Sequence, residues 1–219
     1  MKHPLTLLAI CCVFASLLVG DEEEMIQEPE SEVSFRLKVP SLSEEGKTLG
    51  ITGLGCREKT WVNVYAIAHF ASYEGMKDKL SSWKGKSKED LAVDLKFYEE
   101  LCKANIEKRF VLILLRDIEG TKIESAFREG LTQSYTDGKL SENAEKLLKV
   151  LANGVKEKDK LIFRYMPGGK LLFSVNKDEY SYEDETLAQA IWRIYFCETP
   201  TVGTSLRDSL ISEIARVWK

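Results

Sequence analysis

From Val33 onward the chain alternates. Val33, Phe35, Leu37 and Val39 are apolar and their neighbours polar, the period-two pattern of a half-buried strand. Pro40 and the SLSEEG run that follows end it. Residues 48–56 and 61–70 read as two more strands, joined across the charged Arg57-Glu-Lys59 turn. Strict alternation on the second puts Trp61, Asn63, Tyr65, Ile67 and His69 on one face and Val62, Val64, Ala66, Ala68 and Phe70 on the other. The all-apolar face is expected to be core. The Tyr65 face mixes large aromatics with hydrogen-bonding tips, as a ligand cleft would.

The period then lengthens to 3.6. Ser87 caps a helix that carries Leu91, Leu95, Tyr98 and Leu101 on one stripe. Residues 109–118 (RFVLILLRDI) form a nearly continuous apolar run, expected as a central strand. Thr121-Lys-Ile-Glu124 reads as a capping box for a helix with Ile123, Ala126, Phe127 and Leu131 inward. Ser141 caps another, with Ala144, Leu147, Leu148 and Leu151 inward and Gly154 at its end. Pro167-Gly-Gly169 predicts a hairpin between 161–166 and 170–176. Ser181 is expected to open a helix through Leu187, Ala190, Ile191 and Ile194, and a last helix runs over 204–218. The order predicts an α+β domain over residues 33–219, with an antiparallel sheet and segregated helices.

The N-terminus is different material. Lys2, an apolar run over 5–19, Gly20 and then acids are laid out as a secretory signal peptide over residues 1–20. The run is short for a spanning helix, so a retained anchor that keeps the protein near a membrane is the alternative. Acidic residues 21–32 show no period and are expected to be a flexible leader. The reading implies a secreted or periplasmic monomer.

With 44% hydrophobic and 30% charged residues the chain can fill a core. A net charge of −4 offers no basic footprint for nucleic acid. His3 lies in the signal, so His69 stands alone and no His-rich metal site can form. Cys56, Cys102 and Cys197 make at most one bridge and are expected to be buried apolar thiols. There is no nucleophile elbow and no phosphate loop; Gly53-Leu-Gly55 does not continue as G-x-G-x-x-G. His69 reads as a hydrogen-bonded sheet residue rather than a general base, and Trp83-Lys-Gly-Lys86 as a connector. Arg57 and Tyr65 remain as candidates: either both point into a cleft, or the face is ordinary sheet with Arg57 in solvent.

Three stretches carry a family resemblance. Trp83-Lys-Gly-Lys-Ser-Lys-Glu-Asp-Leu91 with Leu95-Lys-Phe-Tyr98 resembles a helical region of plant chalcone isomerases. Leu49-Gly-Ile-Thr-Gly-Leu-Gly-Cys-Arg57 resembles their G-x-G-x-R segment. Ala190-Ile-Trp-Arg-Ile-Tyr-Phe-Cys-Glu-Thr-Pro200 and Ser205-Leu-Arg-Asp-Ser-Leu210 resemble the closing helices of bacterial chalcone-isomerase-like proteins. The resemblance implies an open-faced β-sandwich: a large antiparallel sheet covered by a layer of helices, with a cleft between them.

It also implies site residues. Arg57 matches the family's cleft arginine, and Tyr65 falls where the enzymes have a threonine. Ile123 and Gly130 fall near the helix tyrosine and asparagine, and Ile194 and Tyr195 near the C-terminal pair that shapes the flavonoid pocket. Losing the tyrosine hydroxyl and the amide removes donors that would stabilise a developing oxyanion. An arginine with a tyrosine resembles instead the non-catalytic branch that binds fatty acids. The expectation is a binder of a fatty acid or similar amphipathic carboxylate, without cofactor or metal. The alternative is an isomerase acting on a chalcone-like enone, with Arg57 as electrophile.

Overall fold

The computed structural model describes residues 23–135 and 138–219. Residues 1–20, read above as a signal peptide, lie outside the described residues. A two-stranded ribbon, β1 (Met25–Gln27) with β2 (Ser34–Arg36), precedes the main sheet. The acidic stretch expected to lack regular structure therefore supplies a strand. Glu28 begins the connecting turn, accepting hydrogen bonds from Ser31 N and Ser31 Oγ at 2.7 and 2.6 Å.

The main sheet has seven antiparallel strands in chain order. They are β3 (Lys38–Pro40), β4 (Thr48–Lys59), β5 (Val62–Ala71), β6 (Lys108–Leu114), β7 (Lys160–Met166), β8 (Lys170–Val175) and β9 (Asp178–Glu183). Between β5 and β6 come α1 (Tyr73–Lys79), α2 (Lys88–Ala92) and α3 (Leu95–Lys103). Between β6 and β7 come α4 (Gly120–Ser134) and α5 (Glu142–Leu151). After β9 come α6 (Glu185–Phe196) and α7 (Thr204–Ser209). The helices and one face of the sheet share the large core; the other face carries a smaller cluster that includes Phe35 of β2.

Several boundaries differ from the periodicity, each for a local reason. The strand expected over 33–39 divides at Leu37, whose N–H donates to the Glu24 carbonyl at 2.8 Å while its carbonyl accepts from Ile51 N at 2.9 Å. The expected turn at Arg57–Lys59 belongs to β4, and the turn falls at Thr60 and Trp61. The helix expected to run from Ser87 through Leu101 is two helices. Asp94 interrupts it by accepting from Phe97 N at 3.2 Å, Trp83 Nε1 at 2.7 Å and Lys86 Nζ at 2.9 Å. The bond from Lys86, then that from Trp83, holds its carboxyl down at about 2. Helix α4 begins at Gly120 with no side-chain cap, so the capping box expected at Thr121 does not form. The segment around Ser181 is strand β9, and the cap of α6 is Asp184, which accepts from Leu187 N at 2.9 Å. The last expected helix stops at Ser209 and gives way to turns.

That stop is built on β4. Thr52 is an extra residue in the ladder, since Ile51 pairs with Phe70 and Gly53 with His69. Freed from pairing, its carbonyl accepts from Glu213 N at 2.8 Å and its hydroxyl donates to the Leu210 carbonyl at 3.1 Å. Next to it a Cβ on Gly53 would overlap the backbone of Ser209 and Leu210. Gly53 therefore serves as a docking floor for the C-terminal segment.

Candidate functional site

Arg57 and Tyr65 are directly opposite each other on β4 and β5, so their side chains leave the same face. Immediately upstream, β5 carries a bulge. Tyr65 pairs with Arg57 but Asn63 with Glu58, which leaves Val64 as the extra residue. The bulge resets the alternation. Val62 and Val64 line the same cavity as Tyr65, while Asn63 Nδ2 reaches the Glu30 carbonyl at 3.3 Å on the ribbon side. The strict alternation expected from the sequence thus fails for these three residues. Ala66, Ala68 and Phe70 are buried as expected, in the smaller cluster, while the Tyr65–Ile67–His69 face is the one the helices cover.

The cavity measures about 990 Å³ and lies between β4–β7 on one side and α4, α6 and the segment after α6 on the other. Arg57, Tyr65, Ile123, Ile194 and Tyr195 all line it. Gly130 does not. It lines a neighbouring space of about 70 Å³ shared with Ile194 and Thr201, and a Cβ there would crowd Ile194 at 3.0 Å. Its part is to let α4 and α6 approach. The walls also include Leu112, Leu114, Phe127 and Leu161, none of which pattern alone distinguished from ordinary core.

Polar groups converge at Arg57. Its two terminal nitrogens donate to the carbonyls of Val202 at 2.7 Å and Thr201 at 3.2 Å, tying the loop after α6 to β4. A guanidinium has five N–H donors, so three remain for a ligand. The Tyr65 and Tyr195 hydroxyls are close enough for each to influence the other's ionisation. Burial raises both phenols above their ordinary value, most strongly Tyr195, so each is a neutral donor in any ordinary buffer.

His69 is fully buried further along the same strand. Its Nε2 lies 3.0 Å from Trp192 Nε1, which can only donate. The imidazole proton is therefore on Nδ1, which donates to Thr52 Oγ1 at 2.6 Å. Burial, with a smaller effect from Lys108, holds His69 well below its usual range, so the ring is neutral. It is a hydrogen-bonded sheet residue. Lys108, which the sequence reading passed over, is also fully buried. Its Nζ donates to the carbonyls of Leu101 and Cys102, each at 2.9 Å, and sits 4.3 Å from the centre of the Tyr165 ring. Cys56, Cys102 and Cys197 are free thiols, and only Cys102 is fully buried.

The model of a family described as chalcone isomerase-like matches residues 33–212. The chain belongs to the chalcone isomerase-like family. It is 25% identical over 183 residues to chalcone–flavanone isomerase 1B-1 of Glycine max, spanning 78% of this chain and 80% of that protein. Against chalcone isomerase-like protein 2 of Humulus lupulus it is 27% identical over 153 residues, 63% of this chain and 73% of the relative. Among solved structures it is similar to the fatty-acid binding protein AtFAP1 of Arabidopsis thaliana. The TM-score is 0.69 at 18% identity, covering 89% of this chain and 99% of that one. At that identity the match speaks for the chalcone isomerase-like fold: a curled antiparallel sheet with helices.

Proposed function

We propose that this chain binds a fatty acid or a similar single-chain amphipathic carboxylate in the Arg57–Tyr65 cavity. One observation carries the reading: a guanidinium with spare donors and a neutral phenol pair meet at one apolar-walled cavity of about 990 Å³. The planar fork of Arg57 suits a carboxylate. Tyr65 adds a donor, and each methylene of a buried tail contributes ~0.8 kcal/mol. The fatty-acid binding protein among its structural neighbours supports the same reading. Isomerisation of an enone is less well supplied, because Ile123 and Gly130 offer no side-chain donor where the enzymes hold a tyrosine and an asparagine. The layout of residues 1–20 supports export of the mature chain, which the mass of the mature N-terminus tests directly.

The deciding experiment is retention of a labelled fatty acid by the delipidated protein, read by native mass spectrometry. Arg57→Ala is expected to weaken retention roughly 10- to 100-fold, the size of a lost charged hydrogen bond. Undiminished retention in that variant sinks the proposal. A chalcone panel run in parallel is expected to stay unconverted; turnover abolished by Arg57→Ala would put the isomerase in its place.

A further inference from the structure

Among the described residues Trp61 is the most exposed large apolar side chain, at 93%. It occupies the tip of the β4–β5 hairpin with Thr60. Both residues are left-handed, with φ of 53° and 65°. A two-residue turn with both φ values positive is the natural place for Asn-Gly. A β-branched residue and an indole fill it here, and the hairpin holds that indole out in water. Val62, next along, is 42% exposed.

The tip is also part of the cavity's rim. Lys59, Thr60 and Val62, which flank Trp61, all line the cavity, and so does Arg116 beyond the end of β6. Leu115 N donates to the Val64 carbonyl at 3.0 Å, so the β5–β6 pairing continues toward Arg116. Lys59 and Arg116 are exposed and no carboxylate among the described residues pairs with either. The acids on the rim are mostly engaged elsewhere. Asp117 is held by Lys156 at 3.0 Å and Glu119 by Lys122 at 3.1 Å; Glu129, on the third turn of α4, is unpaired. An exposed indole and two unpaired cations near the opening of a largely apolar cavity have the makeup of a membrane-interface contact.

We infer that the β4–β5 tip docks on an anionic bilayer surface, with the Trp61 indole at headgroup depth and Lys59 and Arg116 against lipid phosphates. Docking in this pose sets the cavity mouth on the membrane, where a single-chain lipid can pass without crossing water. The inference takes its purpose from the lipid-binding reading above, but the surface chemistry is independent of it.

The test is co-sedimentation of the full chain with phosphatidylcholine vesicles containing or lacking phosphatidylglycerol, alongside vesicle-free retention of a labelled fatty acid. Trp61→Ser is expected to weaken vesicle binding roughly tenfold, as loss of a large buried apolar side chain implies. Lys59→Gln and Arg116→Gln should each weaken it about fivefold on anionic vesicles, and hardly at all on neutral ones. Val93→Ser, at another exposed apolar position (81%), should change nothing. Trp61 emission should shift to the blue with vesicles, a shift that Trp61→Phe removes. Equal binding by the parent chain and Trp61→Ser overturns the inference, as does no binding at all. Self-association that depends on Trp61 without vesicle binding also overturns it, assigning the tip to a second copy. Docking that fails while fatty-acid retention persists removes only this inference. Retention that fails while docking persists removes only the cavity reading.

Discussion

Tyr65 and His69 stand on the same helix-facing side of β5, and α6 reaches both, through Tyr195 and Trp192 respectively. Around His69 the imidazole and the polar groups facing it are bonded to one another. Trp192 donates to the imidazole, the imidazole to Thr52, and Thr52 to the Leu210 carbonyl, while Lys108 nearby covers the last carbonyls of α3. Around Tyr65 the residue types are no more reactive, but the helices stand off and leave about 990 Å³. Titratable side chains alone do not mark a site, because a buried polar cluster with all its bonds made is a packing device. What separates the two ends of the strand is unfilled space beside donors that still have capacity.

The comparison can be broken most forcefully at the sealed end. Trp192→Ala opens a void and strips the His69 Nε2 of its donor, and should cost about 3–5 kcal/mol in denaturant unfolding. Fatty-acid retention per folded molecule should stay unchanged. A loss below about 1 kcal/mol would mean that this end is not the packed half described here.

Lys108 offers a gentler probe. Burial takes its pKa from 10.5 down to about 7. Between those values the unfolded chain holds a proton that the folded chain lacks, so stability should rise with pH across this window and be flat in this group below it. The slope should approach, at most, about 1.4 kcal/mol per pH unit, and Lys108→Met should remove that contribution. An unchanged slope in the variant would place the ammonium in contact with solvent. At the open end the smallest effect on stability is expected. Val64→Phe grows into empty space, changing stability by less than about 1 kcal/mol while weakening fatty-acid retention roughly tenfold. Retention that survives Val64→Phe would move the ligand away from the Tyr65 side of the cavity.

Much of this architecture was legible in the pattern of residues. The apolar run of β6, the Ser87 and Ser141 caps and the Pro-Gly-Gly turn all predict elements that form, whereas the single strand expected over 33–39 divides at Leu37 into β2 and β3, which belong to different sheets. Local signals misled where two of them competed. Ser181 and Asp184 are both capping residues, and the strand alternation of Tyr180 and Tyr182 decides in favour of the later one. Asp94 interrupts a sound helical stripe because Trp83 and Lys86 come from outside it. In the site, the positions of Arg57, Tyr65, Ile123, Ile194 and Tyr195 followed from the family resemblance, and the cavity gathers them. Val62 and Val64 were misplaced because a bulge leaves no mark in a pattern of apolar and polar letters.

The same bulge has a bearing on chain length. Val64 is the one position in the upstream half of β5 that the β4 ladder does not count. Deleting it would leave Val62 and Asn63 on the sides they already occupy, whereas deleting Ile67 or Ala68 would turn everything beyond over. Length differences between relatives in this hairpin can therefore be absorbed at Val64 with the register of Arg57 and Tyr65 intact. A gap placed anywhere else in β5 would match the wrong side chains across the family.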